Sequence, residues 1–192
     1  MRYAYLDTNV ILTLLRPQEE NYSFVQSLSN LKNFDFYTGT MTIIEITSVL
    51  AREEQIFKQA LLNVSIELDI RELIALSFEE QVIIMIEYLF KRFNITTLDE
   101  PELEIIEING KNLVIPVIYK LAIKWVEKIK LRTLDLIHLM TLVYYKYIKE
   151  LKFDYFITKD NVILGNKIEI QSNTETIVVD PEGLLKIELG SL

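Results

Sequence analysis

The chain has 192 residues with a formal charge of −8; half of them are hydrophobic, enough to bury a substantial core. It has no cysteine, which excludes a disulfide framework, a thiolate metal site and a cysteine nucleophile. The net acidity argues against gripping nucleic acid by bulk charge alone.

Along the chain, apolar periodicity predicts alternating strands and helices. "RYAYL" (2–6) reads as a strand, and residues 9–15 and 18–32 as helical. "DFYT" (35–38) reads as a short strand, followed by a helix from about Thr42 to Glu54. Residues 56–93 are mostly helical in pattern, and "EIIEINGKNLVI" (104–115) reads as a β-hairpin turning at Asn109-Gly110. From Pro116, placed in the first helical turn, to Lys130, residues Val117, Ile118, Leu121, Trp125 and Ile129 form one face and Lys120, Lys124 and Lys128 another. Residues 133–149 give a further helix with Thr133 as N-cap, "FDYFIT" (153–158) a buried strand, and two short strands are expected near 167–171 and 176–179. This alternation predicts an α/β fold with a mainly parallel sheet and helices on both sides.

Charge is unevenly spread. Residues 60–108 hold eleven acids against three bases, and residues 111–167 eleven bases against five acids. The second stretch fits either a solvated helix surface or a polyanion-facing one. Asp7 interrupts the first apolar run, so no signal-peptide layout is read. "VIIMIEYLF" (82–90) is too short to span a bilayer and contains Glu87. A cytoplasmic chain with no membrane partner is expected.

The single histidine, His138, excludes two-histidine acid–base chemistry and the HExxH zinc site within one chain, and leaves a Ser-His-Asp triad without a GxSxG elbow. The five scattered glycines exclude P-loop and dinucleotide fingerprints. Carboxylate chemistry remains. Asp7 and Asp160 follow strands, while Glu45 and Asp135 lie in apolar helices. Each has a local explanation: Asp7 as a helix cap, Glu45 in a capping box with Thr42, Asp135 complementing a helix dipole, Asp160 starting a turn. Jointly, the two that follow strands are expected at the carboxyl edge of the sheet, where ligands of open parallel sheets bind, and the two in early helical turns can point at the same edge. Four clustered carboxylates repel one another, and Mg²⁺ or Mn²⁺ relieves the repulsion and activates water for phosphodiester cleavage. Thr8, Asn9 and Thr158 then either support the acids and hydrogen-bond substrate or merely cap and turn the chain; Arg132 and the Lys row either guide phosphate or are solvated. His138, one turn after Asp135, is read as a packing residue within reach of that carboxylate.

"YLDTNVILTLL", "TGTMTIIEITSVLAR", "KLRTLDLIHLMTLVY" and "FDYFITKD" resemble, in order, the four acidic motifs of the PIN-domain nucleases, and "IVVDPEGLL" resembles the end of its VapC-like toxins. The likeness covers about residues 1–55 and 116–185. It implies a three-layer α/β/α fold and a Mg²⁺/Mn²⁺-dependent endoribonuclease leaving a 5′-phosphate and a 3′-hydroxyl. Asp7, Glu45, Asp135 and Asp160 take the family's metal-binding positions; at Asp160 the acid that often follows is replaced by Asn161-Val162. An RNA substrate, an antitoxin protein and a homodimer are implied as partners. A single domain over 1–192 is expected, with 56–115 as an inserted helical and hairpin lobe. The rival readings are a non-catalytic PIN-like module binding RNA or protein, and an rRNA-processing or DNA-directed nuclease.

Overall fold

The structure, a computed structural model, describes residues 1–65, 69–99 and 101–190. In chain order the elements are β1 (Arg2–Leu6), α1 (Thr8–Thr13), α2 (Tyr22–Leu28), β2 (Phe34–Gly39), α3 (Met41–Arg52), α4 (Glu54–Val64), α5 (Ile70–Ala75), α6 (Phe78–Phe93) and β3 (Ile95–Leu98). They continue with β4 (Leu103–Ile108), β5 (Lys111–Pro116), α7 (Val117–Trp125), α8 (Thr133–Tyr147), β6 (Tyr155–Ile157), α9 (Asn161–Gly165), α10 (Lys167–Thr174), β7 (Ile177–Val179) and α11 (Pro181–Leu189). Residues 66–68, within the stretch expected to be mostly helical, lie outside the described residues.

β1 shows why the chain folds in three layers. Its side chains alternate across the sheet: Ala4 and Leu6 join one apolar core with α1, α2, α3, α4, α6 and α11, while Tyr5 joins the other with α7, α8, α9 and α10. All pairings in the five-stranded sheet are parallel, in the order β3–β2–β1–β6–β7. The sheet buried on both faces is the α/β/α arrangement expected from the alternation. Chain order runs outward from β1 to β2 on one side, while β6 sits on the other. The carboxyl ends of β1 and β6 therefore flank the point where the strand order reverses, the place where open parallel sheets bind ligands.

Within the stretch 56–115, α4 and α6 pack on the first core and β3 pairs with β2, so this part is built into the main body. β4 and β5 form a separate two-stranded antiparallel sheet. Asn109 and Gly110 turn it with φ of 52° and 72°, the two positive angles that a tight two-residue hairpin demands. Among the described residues, no helix is long and apolar enough to cross a membrane.

Several local expectations are corrected. Residues 167–171, expected as a short strand, form the start of α10. Helical spacing lets Ile170 and Thr174, four apart, be buried together while Ile168 stays 79% exposed. β3 is an additional strand, too short at four residues to be seen against the preceding helix. Pro116 ends β5 and caps α7 rather than lying in its first turn, and Arg132 takes the cap position assigned to Thr133. The capping box between Thr42 and Glu45 does not form: α3 starts one residue earlier, with Thr40 at its cap, and Glu45 turns elsewhere.

Candidate active site

Asp7 leaves β1 at the strand-order reversal and is 5% exposed. It occupies the cap position of α1 yet makes no side-chain capping bond. Its Oδ2 instead accepts from Thr158 Oγ1 at 2.6 Å, across from the end of β6. Burial pushes the Asp7 carboxyl up from its ordinary range; His138 and the Thr158 bond pull it down, and the charge of Glu45 pushes it up again. Thr158 also accepts the Asp160 N–H at 3.0 Å, so one buried hydroxyl links the two acids that follow strands.

Asn9 and Lys159 hold this corner. Asn9 Oδ1 accepts the Lys159 N–H at 3.0 Å, and its amide lies 3.4 Å from Thr158 Oγ1. The Lys159 ammonium bonds Thr13 at 2.7 Å and pairs with Glu19, tying the loop after α1 to the loop after β6. Asp160 Oδ1 accepts from Val162 N at 2.6 Å and Ile163 N at 3.2 Å, which makes it the N-cap of α9.

Asp135 stands in the first turn of α8. Its Oδ2 is buried and, among the described residues, has no hydrogen-bond partner, an arrangement that native structures rarely leave unexplained. Burial, then the charges of Asp160 and Asp7, push its carboxyl up to about 6, opposed by Arg132 and His138. Arg132 is exposed at the start of α8, at the edge of the group.

Glu45, on α3, is bound by two donors. His138 Nε2 lies 2.7 Å from Glu45 Oε2, and Thr8 Oγ1 donates to the same oxygen. Thr8 sits 3.1 Å from Thr42 Oγ1, which in turn lies 2.6 Å from Thr38 Oγ1. After the opposing effect of partial burial, the His138 bond and charge and the Thr8 bond hold Glu45 below its usual range. His138 itself is 1% exposed; Glu45 and the charges of Asp7 and Asp135 raise it against desolvation. Its assignment to packing, or to a bond with Asp135, is corrected: the ring reaches Glu45 and, through Nδ1, Tyr5 Oη at 3.0 Å. The one available signal was its position one turn beyond Asp135. Tyr5 and Lys159 carried none, because their partners are remote in sequence, and the capping-box spacing of Thr42 pointed to a different bond.

Gly39, at the end of β2, lets this network close. Its N–H donates to Tyr5 Oη at 3.1 Å, and a Cβ there would lie 2.9 Å from the same oxygen and 3.2 Å from Thr141 Cγ2. Gly39→Ala is expected to destabilise the protein by about 1–3 kcal/mol, the cost of forcing a methyl group into a packed interior. Urea unfolding checks this.

The structure therefore brings Asp7, Thr8, Asn9, Glu45, Asp135, Thr158 and Asp160 to one edge of the sheet through shared bonds and mutual charge effects. Among the described residues, no three Asp, Glu or His side chains are gathered tightly enough to close a cation site by themselves. The donors nonetheless fit a hard divalent ion in kind: carboxylate oxygens, with Asp135 Oδ2 buried and unpaired. Asp7, Glu45, Asp135 and Asp160 are the carboxylates available to hold it.

The family model described as PIN domain matches residues 4–164. No curated protein and no solved structure matches the chain.

Proposed function

The chain belongs to the PIN-domain family, and from that premise we propose that it is a Mg²⁺- or Mn²⁺-dependent endoribonuclease. PIN domains are generally metal-dependent nucleases. The observation that carries the reading here is the unpaired, buried Asp135 Oδ2, with Asp7 and Asp160 close enough for their charges to raise its carboxyl. An acid kept in that position without a hydrogen bond is destabilising unless a cation offsets it.

In this reading Asp7, Glu45, Asp135 and Asp160 hold the metal. When bound, such an ion lowers the pKa of its water and stabilises charge on the transferring phosphoryl group. Thr158 orients Asp7, and Asn9 holds the backbone of the loop that carries Asp160. Arg132, exposed beside Asp135, is placed to attract substrate phosphate. RNA as the substrate is supported by the likeness of the four acidic stretches to those of the PIN-domain nucleases and of "IVVDPEGLL" to the end of VapC-like toxins; an antitoxin and a homodimer belong to the same likeness.

The test is incubation of the purified chain with mixed structured RNAs and a DNA control, with Mn²⁺ or with chelator. RNA fragments that appear only with the metal are expected. RNA or protein binding without metal-dependent cleavage would mark a non-catalytic module and overturn the proposal; cleavage of the DNA alone would redirect it.

A further inference from the structure

We infer that His138 is a positioning residue for Glu45: one buried imidazole, anchored on Tyr5, decides which Glu45 oxygen is left for the site. The inference rests on the nuclease reading and adds a residue whose role that reading does not specify.

The geometry determines the ring's hydrogen-bonding roles. Glu45 as a carboxylate only accepts, so His138 Nε2 carries the proton in the 2.7 Å bond to Oε2. The other ring nitrogen lies 3.0 Å from Tyr5 Oη, whose own position is held by the Gly39 N–H at 3.1 Å. With both nitrogens engaged, the imidazole cannot flip without losing two buried bonds. One ring thus joins β1, α3 and α8 behind the acidic edge.

The bonds on Glu45 are also one-sided. His138 and Thr8 both address Oε2, and Oε1 takes neither bond. The Glu45 side chain keeps 23% of its surface exposed, whereas that of His138 keeps 2%. A partly exposed glutamate is in this way held by one oxygen, with the other outside both bonds. Outer partners of this kind orient a site's carboxylates, and losing them typically costs about 10–100-fold in metal affinity or activity.

The experiment compares His138→Leu, which keeps the bulk of the ring, with His138→Gln, whose side-chain amide can donate to the same Glu45 oxygen. Both lose the imidazole bond to Tyr5, so a loss of fold lowers their thermal midpoints alike. Free Mn²⁺ is followed by electron paramagnetic resonance, and RNA cleavage is followed against Mn²⁺ concentration. For His138→Leu the Mn²⁺ dissociation constant and the half-activating Mn²⁺ concentration are expected to rise about tenfold, with a smaller effect on the rate at saturating metal. His138→Gln should recover most of that affinity. Equal affinity in the two variants, or wild-type affinity in His138→Leu, overturns the inference while leaving the nuclease reading intact. A wild-type chain that neither binds Mn²⁺ nor cleaves RNA removes both. Because the chain has one histidine, ¹⁵N-histidine labelling provides a second measurement that needs no variant. Mg²⁺ titration should move the His138 Nε2 resonance, and a resonance that stays put counts against the inference.

Discussion

Asp7→Asn is expected to lower metal-dependent RNA cleavage by at least about a hundredfold, the scale of removing a preorganised charge from a reacting centre, while making the metal-free protein more stable. The two effects share one cause. Asp7 is 5% exposed, its carboxyl is pushed up by burial, and the charge of Glu45 acts on it. Neutralising it relieves a buried charge that Thr158 and His138 only partly compensate, so the metal-free variant gains stability. The amide oxygen of Asn still accepts the Thr158 hydroxyl, so the corner between β1 and β6 keeps its bond. Cleavage assays with Mn²⁺ and thermal melts in chelator measure the two sides. A variant that loses activity and stability together would mean that Asp7 serves the fold.

Asp135→Asn is expected to be as damaging to cleavage, about a hundredfold or more, and to change how stability depends on pH. The Asp135 carboxyl is raised to about 6 by burial and by Asp160 and Asp7, against Arg132 and His138. A raised carboxyl binds its proton more tightly in the folded than in the unfolded chain, so stability falls as pH rises from the ordinary carboxylate range to about 6. Asp135 is partly open to solvent, so screening reduces its share to about 1 kcal/mol. Asp7 and His138, both shifted upward, act in the same direction. The metal-free wild type should therefore unfold at higher urea near pH 5 than near pH 7, and Asp135→Asn should lessen the difference. Adding Mn²⁺ at pH 7 should recover stability in the wild type and not in the variant.

Much of the fold was legible because its signals are local. Strand β1, the Asn109-Gly110 hairpin and α8 each declare themselves within a few residues, through alternation, two positive φ angles and apolar spacing. The misreadings occur where local signals compete. Ile168 and Ile170 alternate like a strand, yet burial of Ile170 with Thr174 settles a helix. Thr42 and Glu45 have the spacing of a capping box, yet Glu45 finds a better donor in His138, 93 residues away. A pairing at that distance leaves no periodic trace in the chain.

The amino-acid sequence alone determined the kind of chemistry open to this protein. Without cysteine, a second histidine or a glycine-rich phosphate loop, carboxylates near element ends are what remains. It also determined the alternating elements, because side-chain period and turn chemistry act between near neighbours. The tertiary structure decided which polar groups each acid meets: Asp7 with Thr158, Glu45 with His138 and Thr8, Asp160 with the start of α9, and Asp135 Oδ2 with none among the described residues. Those assignments depend on how β1, α3, α8 and β6 are brought to one edge of the sheet, and burial, which only the packed fold creates, is what gives each bond or missing bond its energetic weight.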